Sequence, residues 1–310
     1  MSTTLNHTPR EMIPEKFSEL PLSGGAAVLS GHSTFTQLKH TLKSGPVLIA
    51  LLVLGAIVFI AFCAPLLGTA DPIAIDPGQR LRLSSSGHWL GTDAFGRDVY
   101  SRVMYGARIS LIVGLGASLM SVTLGLLIGV ITGYFRVADA IVMRVMDGIM
   151  AIPGILLAIA LVSLSGASLF TVLVAITIPE IPRVVRLVRS VILTVRSEPY
   201  VEAAISLGTR LPTLLLRHLV PNTMAPLIVQ GSYIFASAVL TEATLSFLGA
   251  GLPPEIPSWG NIMAEGRMYF QLIPGLIFYP GIFLSITVLS VNVLGDAMRD
   301  ALDPRMVRKS

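Results

Sequence analysis

Charged residues and cysteines are scarce in this sequence. Charged side chains make up 13% of the 310 residues, whereas hydrophobic side chains make up 53%. A soluble domain has about 25% charged residues, and a water-soluble chain of this length needs more polar surface than this one has. The composition therefore indicates a membrane protein. The one cysteine, Cys63, lies in an apolar run, so a disulfide within the chain is excluded.

Motifs for nucleotide binding and catalysis are also missing. No phosphate-binding loop of the Gly-x4-Gly-Lys-Ser/Thr type occurs, because neither Lys43-Ser44 nor Lys309-Ser310 follows the required glycine. The sequence contains no Cys/His metal spacing and no nucleophile elbow. We therefore expect no catalytic residues, no bound metal and no cofactor, and this disfavours an intramembrane enzyme.

Six apolar stretches are long enough to cross the hydrocarbon core of a bilayer, which needs about 20 residues of helix. They predict an all-α membrane protein with six transmembrane helices, at Pro46–Leu67, Ile109–Gly133, Ile141–Leu164, Ser168 to about Val188, Thr223–Leu248 and Gly275–Gly295. The fourth stretch is the weakest, since Pro179 and Pro182 interrupt it. None of the six carries the chains of Asp, Glu and His of a proton relay, which disfavours an ion-coupled secondary transporter.

The basic residues predict the orientation of these spans. The net charge is +4, and most of the 22 Lys and Arg residues lie near the termini or in the connections after the second and fourth spans. Because cytoplasmic loops carry the excess of basic residues, we expect both termini in the cytoplasm and no nucleic-acid partner. The predicted organisation is a disordered cytoplasmic tail (1–40), a transmembrane domain (41–305) and a C-terminal tail (306–310). Within the domain, 68–108 is a periplasmic loop and 190–222 a cytoplasmic loop.

Small residues recur at every fourth position of the second span. On a helix this spacing makes a smooth stripe that another helix can approach closely. We interpret the stripe as a surface for helix packing, and the alternative is that it lines a path through the membrane. Its residues are Ala117, Ser121, Gly125, Gly129 and Gly133.

Polar groups inside spans are costly and are functional candidates by default. Arg144 and Asp147 are three residues apart and are spaced to pair on one helix face. Structural anchoring and a place on a pathway or gate are both open interpretations for three polar residues, Asp147, Glu242 and Asn292.

The connection between the fourth and fifth spans is too polar to cross a membrane and carries helical patterns. Tyr200–Gly208 predicts a helix closed by a glycine. Pro212 suits the first turn of a second helix, Thr213–Leu219, which we expect to end near Pro221. The two helices form an elbow. Lipid headgroups or a partner protein are the predicted contacts of three arginines that precede it, Arg183, Arg186 and Arg189.

The elbow resembles the loop that defines permease subunits of binding-protein-dependent ABC importers, Glu-Ala-Ala-x3-Gly-x9-Ile-x-Leu-Pro. The spacing agrees throughout, with His218 and Val220 in place of the Ile and Leu, and a His at this position is similar to the peptide branch of the family. In that family the elbow inserts into a cleft on the ATPase subunit. The resemblance therefore implies coupling to an ATPase for Glu202, Ala203, Ala204, Gly208, His218 and Pro221.

The periplasmic loop is similar to the Gly-Thr-Asp-x2-Gly-Arg-Asp-x2-Ser-Arg signature of dipeptide, oligopeptide and nickel permeases. The runs Leu245–Gly260 and Leu294–Arg305 resemble this branch too, so the similarity covers about residues 40–305 and is nearest to the C-type subunit. The alternating charges of the loop are spaced for pairing on a helix. Two interpretations are open for the signature residues. They stabilise the loop itself, or they dock a binding protein or form an outer gate. The residues are Gly91, Thr92, Asp93, Gly96, Arg97, Asp98 and Arg102.

The resemblance implies a type I ABC importer permease fold with a cytoplasmic coupling helix, located in the cell inner membrane. It implies alternating access driven by two partner ATPase subunits. A homologous second permease subunit, a periplasmic or lipid-anchored solute-binding protein and membrane lipid are the other implied partners. The implied solutes are di- and oligopeptides or similar small solutes, with nickel or glutathione as the alternative, since these permeases share the same motifs.

Overall fold

The computed structural model describes residues 44–302, and the predicted tails 1–40 and 306–310 lie outside them. The described chain is helical, without strands apart from one isolated bridge between Thr92 and Asp98. Its α-helices, in chain order, are α1 (Gly45–Cys63), α2 (Val99–Tyr134), α3 (Arg136–Met150), α4 (Gly154–Ser165), α5 (Leu169–Arg196), α6 (Pro199–Ser206), α7 (Leu211–Leu214), α8 (Val220–Phe247), α9 (Trp259–Gly266) and α10 (Gly275–Leu302).

The described chain contains four helical segments that are long and apolar enough to cross a membrane, namely Gly45–Leu66, Val99–Tyr134, Leu211–Phe247 and Gly275–Leu302. A fifth candidate exists if α3 and α4, which meet at 87°, form one broken span. α5 coincides with the predicted fourth span, but it carries Glu180, Arg183 and Arg186 among its apolar residues. A span that faces lipid rarely holds that much charge. Length and composition thus support four or five spans, and the count of six stays a prediction.

α2 begins ten residues before the predicted start of its span. The prediction placed residues 99–108 in the periplasmic loop, whereas they are helical. The cause is Asp98, whose side chain accepts a hydrogen bond from the Ser101 N–H and caps the helix. With 36 residues, α2 is about 54 Å long at the rise of an α-helix, so it extends well beyond a bilayer core.

The predicted third span is broken in the structure. α3 ends at Met150 and α4 begins at Gly154, and the two axes differ by 87°. Pro153 lies between them, and it lacks an N–H and disfavours helical backbone at the residue before it. The chain therefore changes direction at this point by close to a right angle.

The stripe of small residues on α2 packs against α5. A Cβ added at Gly125 would lie 2.4 Å from the Val184 Cβ, and one at Gly129 would lie 2.6 Å from the Val188 Cβ. The same relation joins the next turns, since a Cβ at Gly133 would lie 2.6 Å from the Cβ of Ile192. The predicted packing role of the stripe is confirmed, and its partner is a helix of the same chain.

The short helix α9 is enclosed where α2 and α8 meet. Trp259, its first residue, is fully buried, and its indole N–H donates to the Val103 carbonyl at 3.1 Å. A Cβ on Gly106 would lie 3.2 Å from the Trp259 ring, and one on Gly260 would lie 2.6 Å from the Ala243 Cα. Glycine at these two positions therefore permits the close approach of α9 to both neighbours.

Gly129→Ala is expected to destabilise the bundle, because the added methyl group would lie 2.6 Å from the Val188 Cβ. Overpacking of a buried contact costs about 1–3 kcal/mol, which lowers the midpoint of thermal unfolding. Gly55→Ala in α1 is the matched control, since a Cβ there meets nothing within 4 Å. The midpoint is measured in detergent as the loss of monodisperse protein on heating. Equal midpoints for the two variants would contradict the packing described.

Candidate functional site

The predicted elbow begins with a short helix that ends at a glycine turn. At the end of α6 the Thr209 N–H donates to the Ala204 carbonyl at 3.1 Å, and the Gly208 N–H donates to the Ile205 carbonyl at 2.9 Å. These two bonds define a Schellman motif. Gly208 has φ of +76° with open space around it, a conformation that glycine adopts without strain. The prediction of a helix closed by a glycine is confirmed.

α6 presents one face to its surroundings. Glu202 and Ala203 are exposed and Ala204 is half-buried, whereas Val201 is fully buried in a cluster that also holds Leu214. The exposed face therefore combines an acidic group with a small side chain. A partner helix or cleft can approach such a face closely and place a basic group on the carboxylate.

The second half of the elbow does not end near Pro221, and that prediction is wrong. α7 continues through a π-helical turn, Leu215–Leu219, directly into α8. The turn is closed by the Val220 N–H, which donates to the Leu215 carbonyl. A π turn is a common way to accommodate an interruption of helical hydrogen bonding, and Pro221, which has no N–H, follows directly in the first turn of α8. The elbow and a candidate span thus form one continuous segment.

Side chains also tie α6 to the start of α8. The Asn222 amide donates to the His218 carbonyl at 2.6 Å and to the Tyr200 hydroxyl at 3.3 Å. The rings of Tyr200 and His218 lie 6.4 Å apart. The structure therefore brings the predicted elbow residues, from Glu202 to Pro221, into one unit at the N-terminal end of α8.

Four charged side chains form a nearly buried cluster between the α1–α2 loop and α9. Arg97 Nε lies 2.6 Å from Asp93 Oδ2, and Arg102 Nη1 lies 3.3 Å from the same oxygen. Arg102 Nη2 lies 3.2 Å from Glu265 Oε1, and Arg97 pairs with the other oxygen of Glu265. The side chains of Arg97 and Arg102 are only 6% and 1% exposed. Two guanidinium groups and two carboxylates balance, as buried charges require.

This cluster differs from the predicted arrangement. The sequence predicted pairing along a helix, but Asp93 and Arg97 lie in the loop, because α2 begins only at Val99. The second carboxylate comes from Glu265, which the sequence reasoning missed. It is 163 residues from Arg102 along the chain, and no local spacing points to it.

The remaining signature residues fold the loop itself. Gly91 and Gly96 have φ of +80° and +79°, and a Cβ on them would lie 2.5 Å from the Arg82 carbonyl oxygen and 1.8 Å from that of Asp76. The Thr92 hydroxyl donates to the Gln79 carbonyl. A docking role for the signature stays a prediction.

Asp98 joins the loop to the start of α2. Its Oδ2 accepts from the Ser101 N–H at 2.8 Å and from the Ser101 hydroxyl at 2.6 Å. Its Oδ1 lies 3.0 Å from Nδ1 of His88 in the loop. The side chain is therefore fully used in local structure.

Glu265 depends on its arginine neighbours for its charge. Burial raises the pKa of the Glu265 carboxyl above that of an ordinary glutamate, Arg102 and Arg97 lower it, and Asp93 raises it again. Because each arginine lowers this pKa, removal of either one would raise it further.

The three candidates for a pathway or gate lie in different settings. Asp147 accepts a hydrogen bond from Arg186 of α5 at 2.7 Å, so the predicted pairing with Arg144 is wrong. Glu242 on α8 is fully buried, and its Oε1 accepts from Ser246 at 2.9 Å and from Ser258 at 2.7 Å. Its Oε2 has no partner among the described residues. Asn292 is half-buried on α10.

Two other carboxylates in this region pair with arginines of α5, and the sequence reasoning missed one of them, Glu180. Glu180 lies between the two prolines of α5 and pairs with Arg183, whose Nη1 is 3.1 Å from Oε1. Asp139 of α3 pairs with Arg189 of α5, with Nη2 at 2.7 Å from Oδ2. A glutamate inside a predicted span was the available signal for Glu180. Each of the three arginines before the elbow thus has a carboxylate partner in this chain.

A family model described as "Binding-protein-dependent transport system inner membrane component" matches residues 121–308, more than half of the chain. The chain belongs to this family. Together with its several apolar helices, this makes it a multi-pass protein of the inner membrane.

Three relatives cover most of the chain. A protein of Sinorhizobium fredii, described as a probable peptide ABC transporter permease protein, is 53% identical over 250 residues, which is 81% of this chain and 86% of the relative. A dipeptide transport system permease protein of Alkalihalophilus pseudofirmus is 38% identical over 301 residues, 97% of this chain and 98% of the relative. A glutathione transport system permease protein of Pectobacterium atrosepticum is 41% identical over 223 residues, 72% and 74% of the two chains.

A solved structure of the MetNI methionine ABC transporter, in an inward-facing conformation, overlaps with part of the chain. The overlap covers 66% of this chain and 94% of that one, with a TM-score of 0.49 and 18% sequence identity.

Glu265→Gln is expected to loosen the α1–α2 loop, because it leaves the buried Arg97 and Arg102 with Asp93 alone. Removal of one partner from a buried ion pair costs about 3–5 kcal/mol. Hydrogen–deuterium exchange of residues 76–98 and 259–266 measures the effect, and we expect faster exchange in both. Glu255→Gln, at an exposed position of the segment before α9, is the control. Unchanged protection in the Glu265 variant would show that the cluster does not hold the loop.

Proposed function

We propose that this chain is a permease subunit of an ABC importer that takes up peptides or similar small solutes. The observation that carries the proposal is the elbow, in which the exposed Glu202 and Ala203 of α6 are joined through Gly208 to the segment Leu211–Phe247, a candidate span. A surface of this kind, rigidly continuous with the membrane part, is suited to receive a force from a partner.

The force would come from two ATPase subunits that bind the elbow. Closure of the ATPases would displace α6. α8 would move with it, because α7, the π turn and α8 are continuous and Asn222 of α8 bonds Tyr200 of α6. Alternating access is then a shift between two arrangements of the helices, biased by the ATPase state.

The proposed topology has six spans with both termini in the cytoplasm. α5 counts as a span because α2, α4 and α8 pack against it and bury its apolar side. α3 and α4 together count as one broken span. This arrangement corresponds to the type I importer permease fold, with α6 as the coupling helix and the α1–α2 loop on the periplasmic side.

Three kinds of protein partner complete the proposed transporter. A homologous second permease subunit would close the pore, the two ATPases would bind at the elbow, and a periplasmic or lipid-anchored binding protein would deliver the solute. The α1–α2 loop is a suitable contact for the binding protein, because the ion cluster around Arg97 and Arg102 gives it a fixed shape.

Two solute classes have support from relatives. Peptides are favoured by the relative that is 53% identical and by the dipeptide permease that spans 97% of this chain. Glutathione, itself a tripeptide, is the second candidate, because a glutathione permease is 41% identical over 72% of this chain. Uptake of both classes by the reconstituted transporter, measured side by side, distinguishes them.

Gly208→Ala is expected to reduce ATP-driven uptake by about 5- to 30-fold, because an alanine at φ of +76° costs about 1–2 kcal/mol and shifts α6 away from its partner. Uptake of radiolabelled trialanine into proteoliposomes that hold the complete transporter measures the effect. Assembly of the complex should persist, since a Cβ at this glycine meets nothing within 4 Å.

Gly166→Ala is the matched control for the elbow variant. Gly166 has φ of +82° in equally open space, but it lies between α4 and α5, away from the elbow. The strain from an added Cβ is at least as large there, because Gly166 has ψ of 153°, a region that is essentially restricted to glycine. Uptake should nevertheless change little. Equal losses of uptake in the two variants would contradict a special role of the elbow, and ATPase subunits that fail to co-purify with the unchanged chain would overturn the proposed function.

A further inference from the structure

α5 exposes a polar strip in its C-terminal half. Between residues 183 and 190, the exposed residues are Arg183, Arg186 and Ser190, which lie on one face because they are three and four residues apart. We call these three residues the polar strip. The opposite face of the same turns carries Val184 and Val188, both fully buried.

Under the proposed topology, the polar strip lies towards the cytoplasmic end of the membrane-spanning bundle. Val184 and Val188 contact Gly125 and Gly129 of α2, and these glycines lie within the apolar segment Val99–Tyr134. A surface that faces lipid at this depth is apolar, and charged groups there face a bundle interior or an aqueous cavity. The exposed side of α5 therefore faces a water-filled path or another chain.

Both arginines of the strip are paired, but neither is saturated. Arg183 Nη1 lies 3.1 and 3.2 Å from the two carboxylate oxygens of Glu180, and Arg186 Nη2 lies 2.7 Å from Asp147 Oδ1. The two guanidinium side chains are 58% and 45% exposed. Among residues 44–302, each donates through one nitrogen only, so its other N–H groups are available on the open side.

The same place holds the break between α3 and α4. Asp147 lies in the last turn of α3, and a Cβ on Gly154, the first residue of α4, would lie 3.2 Å from Pro179 beside Glu180. Irregular backbone at membrane depth is tolerated where it is buried in protein or lines a cavity. Transporters of known type place substrate sites at such broken helices.

We propose that Arg183 and Arg186 bind the carboxylate of the solute as it crosses the membrane. The inference rests on the proposed function, because a peptide carries a C-terminal carboxylate. Guanidinium groups bind carboxylates through two parallel hydrogen bonds. Glu180 and Asp147 hold the arginines in the empty transporter. The remaining N–H groups of Arg183 and Arg186 bind the arriving carboxylate beside these pairs, so that neither Glu180 nor Asp147 loses its partner.

The test compares two probes that differ only in this carboxylate, radiolabelled trialanine and trialanine amide. ATP-driven uptake of each is measured with the complete transporter in proteoliposomes, at saturating solute and binding protein. Arg183→Gln and Arg186→Gln should lower the ratio of trialanine to amide uptake by about tenfold or more, the effect of one lost hydrogen bond to a charged group. Arg183→Lys should retain part of the ratio, since the positive charge is kept.

Arg144→Gln is the matched control, because Arg144 is an exposed arginine of α3 three residues from Asp147. It forms no ion pair among the described residues, and the ratio should not change. Equal losses for both probes would overturn the inference in favour of a gating or packing role. Loss of the second permease subunit from the purified variant would overturn it in favour of a subunit interface. Absence of trialanine uptake by the unchanged transporter would overturn the proposed function itself.

Discussion

The contact between α2 and α5 is the interaction on which the membrane part depends. Lipid supplies no hydrophobic force between helices, so close van der Waals contact must hold them together. Gly125, Gly129 and Gly133 supply this contact, since each would clash with α5 if it carried a Cβ. The contact also gives α5 a fully buried side. A helix covered in this way tolerates polar groups on its other side, which a helix surrounded by lipid would not.

Each of the three arginines between residues 183 and 189 of α5 is matched by a carboxylate. Arg183 pairs within its own helix, whereas Arg186 and Arg189 reach Asp147 and Asp139 of α3. The two inter-helix pairs hold α3 against α5 up to the break at Pro153. The break therefore falls beside α5, next to the proline-flanked Glu180. The cluster around Arg97 and Arg102 repeats the same rule with lower exposure.

Local rules in the sequence predicted those parts of the fold that depend on local contacts. The stripe on α2 follows from the spacing of residues on a helix, and the turn after α6 follows from the ability of glycine to adopt positive φ. Both were found where they were predicted. The failures are tertiary. Arg144 is near Asp147 in sequence, yet Asp147 pairs with an arginine 39 residues away, because α3 lies against α5. Spacing along one helix cannot reveal which neighbouring helix supplies a partner.

The predictions of where the elbow ends and of how the loop charges pair failed for different reasons. Pro221 signals a helix end by itself, and only the π turn before it explains why the helix continues. Glu265 gives no signal at all, since its role depends on the enclosure of α9 between α2 and α8. The elbow motif, by contrast, identified the family correctly. Its residues are close together in sequence and form an exposed surface, so that recognising them required no knowledge of tertiary contacts.

One continuous segment links the elbow to the α1–α2 loop. α7, the π turn and α8 span 37 residues, about 55 Å at the rise of an α-helix. Near the far end, Glu242 accepts a hydrogen bond from Ser258, the residue that caps α9. α9 in turn carries Glu265, which pairs with both arginines of the loop cluster. Under the proposed function, a displacement of α6 therefore reaches the opposite end through one rigid segment and a few buried polar contacts. Such contacts break or hold as a unit, which favours two discrete arrangements over gradual deformation.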